Sequence, residues 1–259
     1  MTKEVRIKYL LPEAIHMMYD SLPLIILPIG VLEWHGPHLP IGTDIINAEN
    51  LAKKAAQEVG GAVFPPIYFG VCHIKSKEEL INLGMDKDAK VIGMDHPKAH
   101  GLYKSFYYSD ELLALSLKET LNHIVCHGYK YVCIITGHSA PPHTSIINSI
   151  AEDYNFRHDV KIMTFNALLE IEHAAIQETA LMEYYNKGYV NKSKLPKLPK
   201  KLKYSEFSVV DPDGFLGMST NDFAVSNNYD PRNSSKEKGK TIFNSLLKKL
   251  CSEIELLIK

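Results

Sequence analysis

Four cysteines in 259 residues, with no CxxC pair among them, give no dense disulfide framework. Cys72, Cys126, Cys133 and Cys251 read instead as reduced, buried thiols of a cytoplasmic protein. A net charge of −1 removes the reason to propose nucleic acid or an anionic membrane as partner. There is no GxGxxG and no GxxxxGK[ST], so nothing argues for a nucleotide, and no GxSxG elbow argues for a serine hydrolase. The longest apolar stretch, around residues 22 to 32, is interrupted by Pro23, Pro28 and Gly30 and is too short to cross a bilayer. Charges at the N-terminus occupy the place where a signal peptide needs its apolar core. What remains is a chain long enough to bury a core without staples, read as one domain over 1–259.

Hydrophobic periodicity orders that chain. Pro12 suits the first turn of a short helix, and "LIILPI" reads as a buried strand at about 24–29. "IINAENLAKKAAQEVGG" has apolar residues at helical spacing, with Gly60 as its stop, and "GAVFPPIYFGV" reads as the next strand. Residues 72–108 read as loop with short pieces. Ser109 then caps a helix with Asp110 and Glu111 in its first turn. "YVCIITG" lacks alternation and is expected to be a strand covered on both faces. A helix at "TSIINSIAEDYN", a strand at "VKIMTFNAL", a helix from His173 to about Gly188 and an amphipathic helix over 234–258 complete the series. "KSKLPKLPKKLK" (192–203) reads as a solvated loop. The alternation predicts an α/β fold with a mainly parallel central sheet covered on both sides, whose sites form at the carboxyl ends of strands.

Those ends carry the chemistry. Glu33, His35, His38 and Asp44 fall within twelve residues after the first strand, in "GVLEWHGPHLPIGTD". His138 follows the "YVCIIT" strand, and Glu172 and His173 follow "VKIMTFNAL". Glu33 and His35 are two apart, so extended backbone turns both to one face. Imidazole with carboxylate suits Zn²⁺, Mn²⁺ or Fe²⁺, and a carboxylate can bridge a metal pair. Hydrogen bonding of the same residues to loop backbone is the competing reading of this spacing. His38 reads as a supporting or packing residue, Trp34 as core or wall, and His73, His96 and His100 have nothing to fix them at a strand end.

"LPIGVLEWHGPHLPIGTD" resembles the signature of the creatininase family of metal-dependent amidohydrolases, and three further segments are similar in order: "ITGHSA", "IEHAAIQET" and "SSKEKGKTIF". The resemblance implies a three-layer α/β/α sandwich, assembled as a homo-oligomer such as a hexamer. It implies two divalent metal ions, zinc first and manganese or iron as alternatives. Glu33 would bind one ion and His35 the other, Asp44 would bridge both, and His138 would complete one sphere. Glu172 and His173 stand where the family positions substrate and moves protons. The departures matter too. Thr136 replaces an Asn, Ala140 replaces a metal-binding Glu, and Glu178 is the natural substitute ligand. Leu169 stands where creatininase has a tryptophan that closes over its ring, and the Gly-Thr segment gives way to "YKSFYYS". Phe106, Tyr107 and Tyr108 there read as core, with the shaping of a different pocket as the alternative. These changes disfavour creatinine. They leave hydrolysis of a non-peptide C–N bond in a small amide, cyclic amide or formamide by a metal-bridging hydroxide. The alternatives are a peptidase acting on a short peptide tail and an inactive metal-binding scaffold.

Overall fold

A computed structural model describes residues 4–82, 86–95, 105–167, 171, 173–198, 202 and 228–259. Four strands form one parallel sheet: β1 (Leu24–Ile29), β2 (Ala62–Val63), β3 (Tyr131–Thr136) and β4 (Lys161–Asn166), in the order β2-β1-β3-β4. The α-helices among the described residues are α1 (Pro12–Ser21), α2 (Thr43–Val59), α3 (Lys77–Asn82), α4 (Asp110–Cys126), α5 (Pro141–Arg157), α6 (Ile176–Tyr185) and α7 (Lys236–Leu257).

Every residue of β1 is buried, as is all of β3 beyond Tyr131, which is the expected signature of strands covered on both faces. Removing each such Leu or Ile from water contributes roughly 1.5–3 kcal/mol before chain entropy is counted. From β1 the chain steps outward to β2 through α2, and from β3 it steps the opposite way to β4 through α5. Right-handed crossovers therefore put α2 and α5 on opposite faces. α6 and α7 pack with α2, and α4 packs with α5. The fold is an α/β three-layer sandwich. Ser109 caps α4 as expected, its Oγ accepting the Leu112 N–H at 3.3 Å.

Three local expectations need correction. The "GAVFPPIYFGV" strand shrinks to Ala62–Val63 plus one bridge at Ile67, because Pro65 and Pro66 cannot donate to a ladder. α6 begins at Ile176 rather than His173, since Ala174 takes a left-handed conformation (φ 55°) that breaks the helix. Of the four thiols, all free, only Cys133 is buried; Cys72 and Cys251 are half-buried and Cys126 is exposed. His96, His100, Leu169, Glu172 and part of the Lys/Pro loop lie outside the described residues.

The strand ends decide where a site can form. Ile29, Thr136 and Asn166 are in register across β1, β3 and β4. Strand order reverses between β1 and β3, so the crevice opens beyond those two carboxyl ends.

Candidate metal centre

Glu33 and His35 leave β1 into that crevice, and His138 enters it two residues after β3 ends. Asp44 sits in the first turn of α2, where a carboxylate is favoured by the helix dipole. The α2 start can come this close because residue 137 is glycine: a methyl group there would lie 2.0 Å from the Asp44 carbonyl oxygen. Glu178 arrives on the first turn of α6. Its Oε2 accepts the Ala174 N–H at 2.5 Å, so the left-handed turn before α6 aims the carboxylate.

Asp44 lies at the middle of the cluster. Its Oδ1 is 3.0 Å from His35 Nε2, and its Oδ2 is 3.1 Å from His138 Nδ1. Glu178 Oε1 approaches the same His35 nitrogen at 3.6 Å. Glu33 Oε2 lies 3.6 Å from His138 Nδ1, 3.4 Å from His173 Nδ1 and 4.0 Å from His35 Nε2. The rings of His35 and His173 stack at 4.1 Å between centroids. Glu33, His35, Asp44, His138 and Glu178 are buried; the His173 side chain keeps 17% exposure and forms the rim.

Each of these three imidazoles has one nitrogen against a main-chain carbonyl. His35 Nδ1 donates to Glu33 O at 2.9 Å, His138 Nε2 to Val71 O at 3.1 Å and His173 Nε2 to Trp34 O at 2.8 Å. A carbonyl only accepts, so one proton sits on that nitrogen and the other nitrogen faces the carboxylates, open to a second proton or to a metal ion. Imidazole nitrogens facing carboxylate oxygens at these distances need a proton or a metal ion between them. His35 Nε2 and Asp44 Oδ2 are buried without a hydrogen bond of acceptable geometry. The groups Glu33–His35–His173, Glu33–Cys72–His138 and His35–Asp44–Glu178 each bring three ligand atoms within 4.8 Å of one another. The donor set is mostly oxygen and nitrogen, and it fits divalent zinc, manganese or iron.

Electrostatics report the same pressure for a cation. Burial raises the Glu33 carboxyl above its ordinary range and Asp44 adds to this, against His138 and His35. Burial would raise Asp44 too, yet His35 and His138 hold it well below the carboxylate range. Burial disfavours charge on His35, but Glu178 and Asp44 overcome it and push the imidazole up; Glu33 and Asp44 do the same to His138. Burial and the neighbouring His35 drive His173 well below its usual value, so it stands neutral.

The structure thus gathers Glu33, His35, Asp44, His138, Glu178 and His173 around one centre, while Glu172 lies outside the described residues. His38 is a supporting residue: buried, bonded through Nε2 to Thr179 Oγ1 at 3.0 Å. Thr136, at the departure from Asn, braces the loop by donating to His138 O at 2.8 Å.

Sequence reasoning missed two residues. Tyr107, which reads as core with a pocket-shaping role as the alternative, is not singled out by the sequence as a partner of Glu33, yet it donates its hydroxyl to Glu33 Oε1, while Phe106 and Tyr108 are 51% and 40% exposed. Residues 105–108 run beside the Glu33 loop, with Phe106 N–H on Leu32 O (2.7 Å) and Trp34 N–H on Ser105 Oγ (3.0 Å). That contact spans 74 residues, and the only local signal was an aromatic run. Cys72 is the second, beside Glu33 and His138.

Among the described residues no helix is long and apolar enough to cross a membrane. A manganese creatininase shares the fold with a TM-score of 0.68 at 16% identity, covering 99% of each chain. A mutant creatininase of Zn-Zn type does so at 0.67 and 17%, again over 99% of each. A mycofactocin precursor peptide peptidase from Mycolicibacterium smegmatis is 32% identical over 59 residues, which spans 20% of this chain and 24% of that protein. The family model described as creatinine amidohydrolase matches residues 12–254. The chain belongs to the creatininase family of hydrolases.

Proposed function

We propose that this chain is a metal-dependent amidohydrolase acting on a non-peptide C–N bond of a small amide, cyclic amide or formamide, with creatinine itself disfavoured. The observation that carries this reading is the set of imidazole nitrogens aimed at buried carboxylates, each oriented by a main-chain carbonyl on the opposite side of its ring. His35, Asp44 and Glu178 would hold one divalent ion, and Glu33, Asp44 and His138 a second. Such ions, when bound, lower the pKa of water toward about 7 and polarise the substrate carbonyl. Zinc is the first choice, with manganese or iron as alternatives.

The chain's own groups do the rest. His173 sits at the rim with Nδ1 bare, held by Trp34 O. A neutral imidazole there can accept a proton from water at Nδ1 and return it to the departing nitrogen, which then leaves as a neutral amine. Glu172 is its proposed partner in that transfer. Tyr107 holds Glu33 from behind, so the carboxylate keeps Oε2 turned inward. The enzyme is read as a cytoplasmic homo-oligomer, which light scattering and fractionation would check.

Elemental analysis of the purified protein, paired with an amide and formamide panel, tests the reading. Two equivalents of metal are expected, and Glu33→Gln should lose bound metal and turnover together. Full metal with undiminished turnover in that variant would overturn it. The likeness to a precursor peptide peptidase favours a second reading, cleavage of a short peptide tail. Mass spectrometry of short peptides incubated with the metal-loaded protein separates the two. Full metal content with no turnover on either panel would leave the metal-binding scaffold.

A further inference from the structure

We propose that Cys72 is a metal ligand, its thiolate joining Glu33 and His138 to make one side of the cage a sulfur-containing seat for zinc. This rests on the metal-centre reading above and adds to it a division of labour between the two halves.

The geometry is that of a placed ligand. Cys72 Sγ, a Glu33 carboxylate oxygen and a His138 nitrogen lie within 4.8 Å of one another. The backbone on both sides of the cysteine is pinned. Gly70 O accepts the Tyr108 N–H at 3.0 Å, Val71 O accepts from His138 Nε2 at 3.1 Å, and His73 O accepts the Gly93 N–H at 3.0 Å. The same short segment therefore orients His138 through residue 71 and offers sulfur through residue 72. Gly93, at φ +50°, lies close to both the Tyr107 phenol and the sulfur: a methyl there would meet the phenol first and fall 2.8 Å from Sγ. His73 Nδ1 stands 3.9 Å from Sγ, with Nε2 on Glu79 Oε1 at 2.9 Å, which surrounds the sulfur with polar groups. The other thiols are elsewhere: Cys133 inside β3, Cys126 exposed on α4, and Cys251 on α7, beside Glu58 of α2.

Chemistry then separates the halves. Glu33, Asp44, His138 and Cys72 are four donors, the number a closed zinc site uses, whereas His35, Asp44 and Glu178 are three, which leaves a position for water. Thiolate favours zinc over the oxygen-seeking manganese. Binding releases the thiol proton to solvent as the S–metal bond forms.

Cobalt(II) substitution reads this directly. Wild-type protein loaded with cobalt should show a thiolate-to-cobalt charge-transfer band in the near ultraviolet. Cys72→Ser should lose the band while retaining visible cobalt transitions, and a Cys126→Ser/Cys251→Ser variant should keep it. Cobalt bound in the wild type with no such band overturns the proposal and leaves the metal centre standing; no cobalt or zinc bound at all overturns both. Should Cys72→Ser fail to fold, X-ray absorption on zinc-loaded wild type decides. A Zn–S shell near about 2.3 Å supports the ligand, and a shell of nitrogen and oxygen alone overturns it.

Discussion

Asp44→Asn isolates the middle of the cage. It keeps the side-chain volume, removes one charge and replaces one oxygen by an amide donor. In metal-free protein the two imidazoles 3.0 and 3.1 Å away hold protons well above their ordinary range, because Asp44, Glu178 and Glu33 surround them. Removing one member of such a buried pair costs about 3–5 kcal/mol. For a chain near this size, roughly 2–4 °C per kcal/mol makes the metal-free Tm fall by about 6–20 °C. Zinc at one hundred times its Kd adds about 2.7 kcal/mol to a protein that binds it only when folded. That is roughly 5–11 °C for the wild type, and the variant should gain almost nothing. Melts by circular dichroism, with chelator and with zinc, measure all four states. A variant that gains as much from zinc as the wild type does would refute the bridging position of Asp44.

Gly137→Ala puts a methyl 2.0 Å from the Asp44 carbonyl oxygen, so α2 and the His138 loop must part. A displacement of about 1 Å at a reacting geometry costs on the order of 100-fold in rate, and metal analysis with kcat should show both losses. Tyr107→Phe removes the hydroxyl that donates to Glu33 and accepts the Met94 N–H at 2.8 Å, and metal affinity or activity should drop roughly 10- to 100-fold, with Tm falling by no more than the loss of that one acceptor. Burial beside His35 lowers His38 to about 3, against an ordinary 6.5, and burial beside His138 lowers His143 to about 3. The unfolded chain binds those protons first, so stability is complete above pH 6.5 and is lost as pH falls toward 3, at up to about 1.4 kcal/mol per pH unit for each group. Urea titrations across that window should show a shallower slope in His38→Asn.

Much of this arrangement was legible along the chain because its causes are local. β1 and β3 announced themselves as apolar runs without alternation, and Ser109 before Asp110 and Glu111 marked the start of α4. The cluster of Glu33, His35 and Asp44 was readable because a single loop carries it. What pattern could not give was contact across distance. Nothing near Tyr107 states that residues 105–108 run beside the Glu33 loop, since that pairing rests on a main-chain hydrogen bond to Leu32 and on side-chain bonds from distant parts of the chain. Cys72 was grouped with ordinary thiols because sulfur earns a special environment only once His138 arrives from β3. The proline pair after β2 was visible, but its shortening of the strand depends on where the neighbouring ladder runs.

The carbonyl oxygens behind His35, His138 and His173 belong to Glu33, Val71 and Trp34, and every residue type carries one. No point substitution deletes such an acceptor. Which imidazole nitrogen is available to an ion is therefore set by chain path rather than by any neighbouring side chain. The lining that touches a substrate can be exchanged residue by residue while the tautomers stay put. One scaffold can in this way meet substrates of different shape without rebuilding its cage.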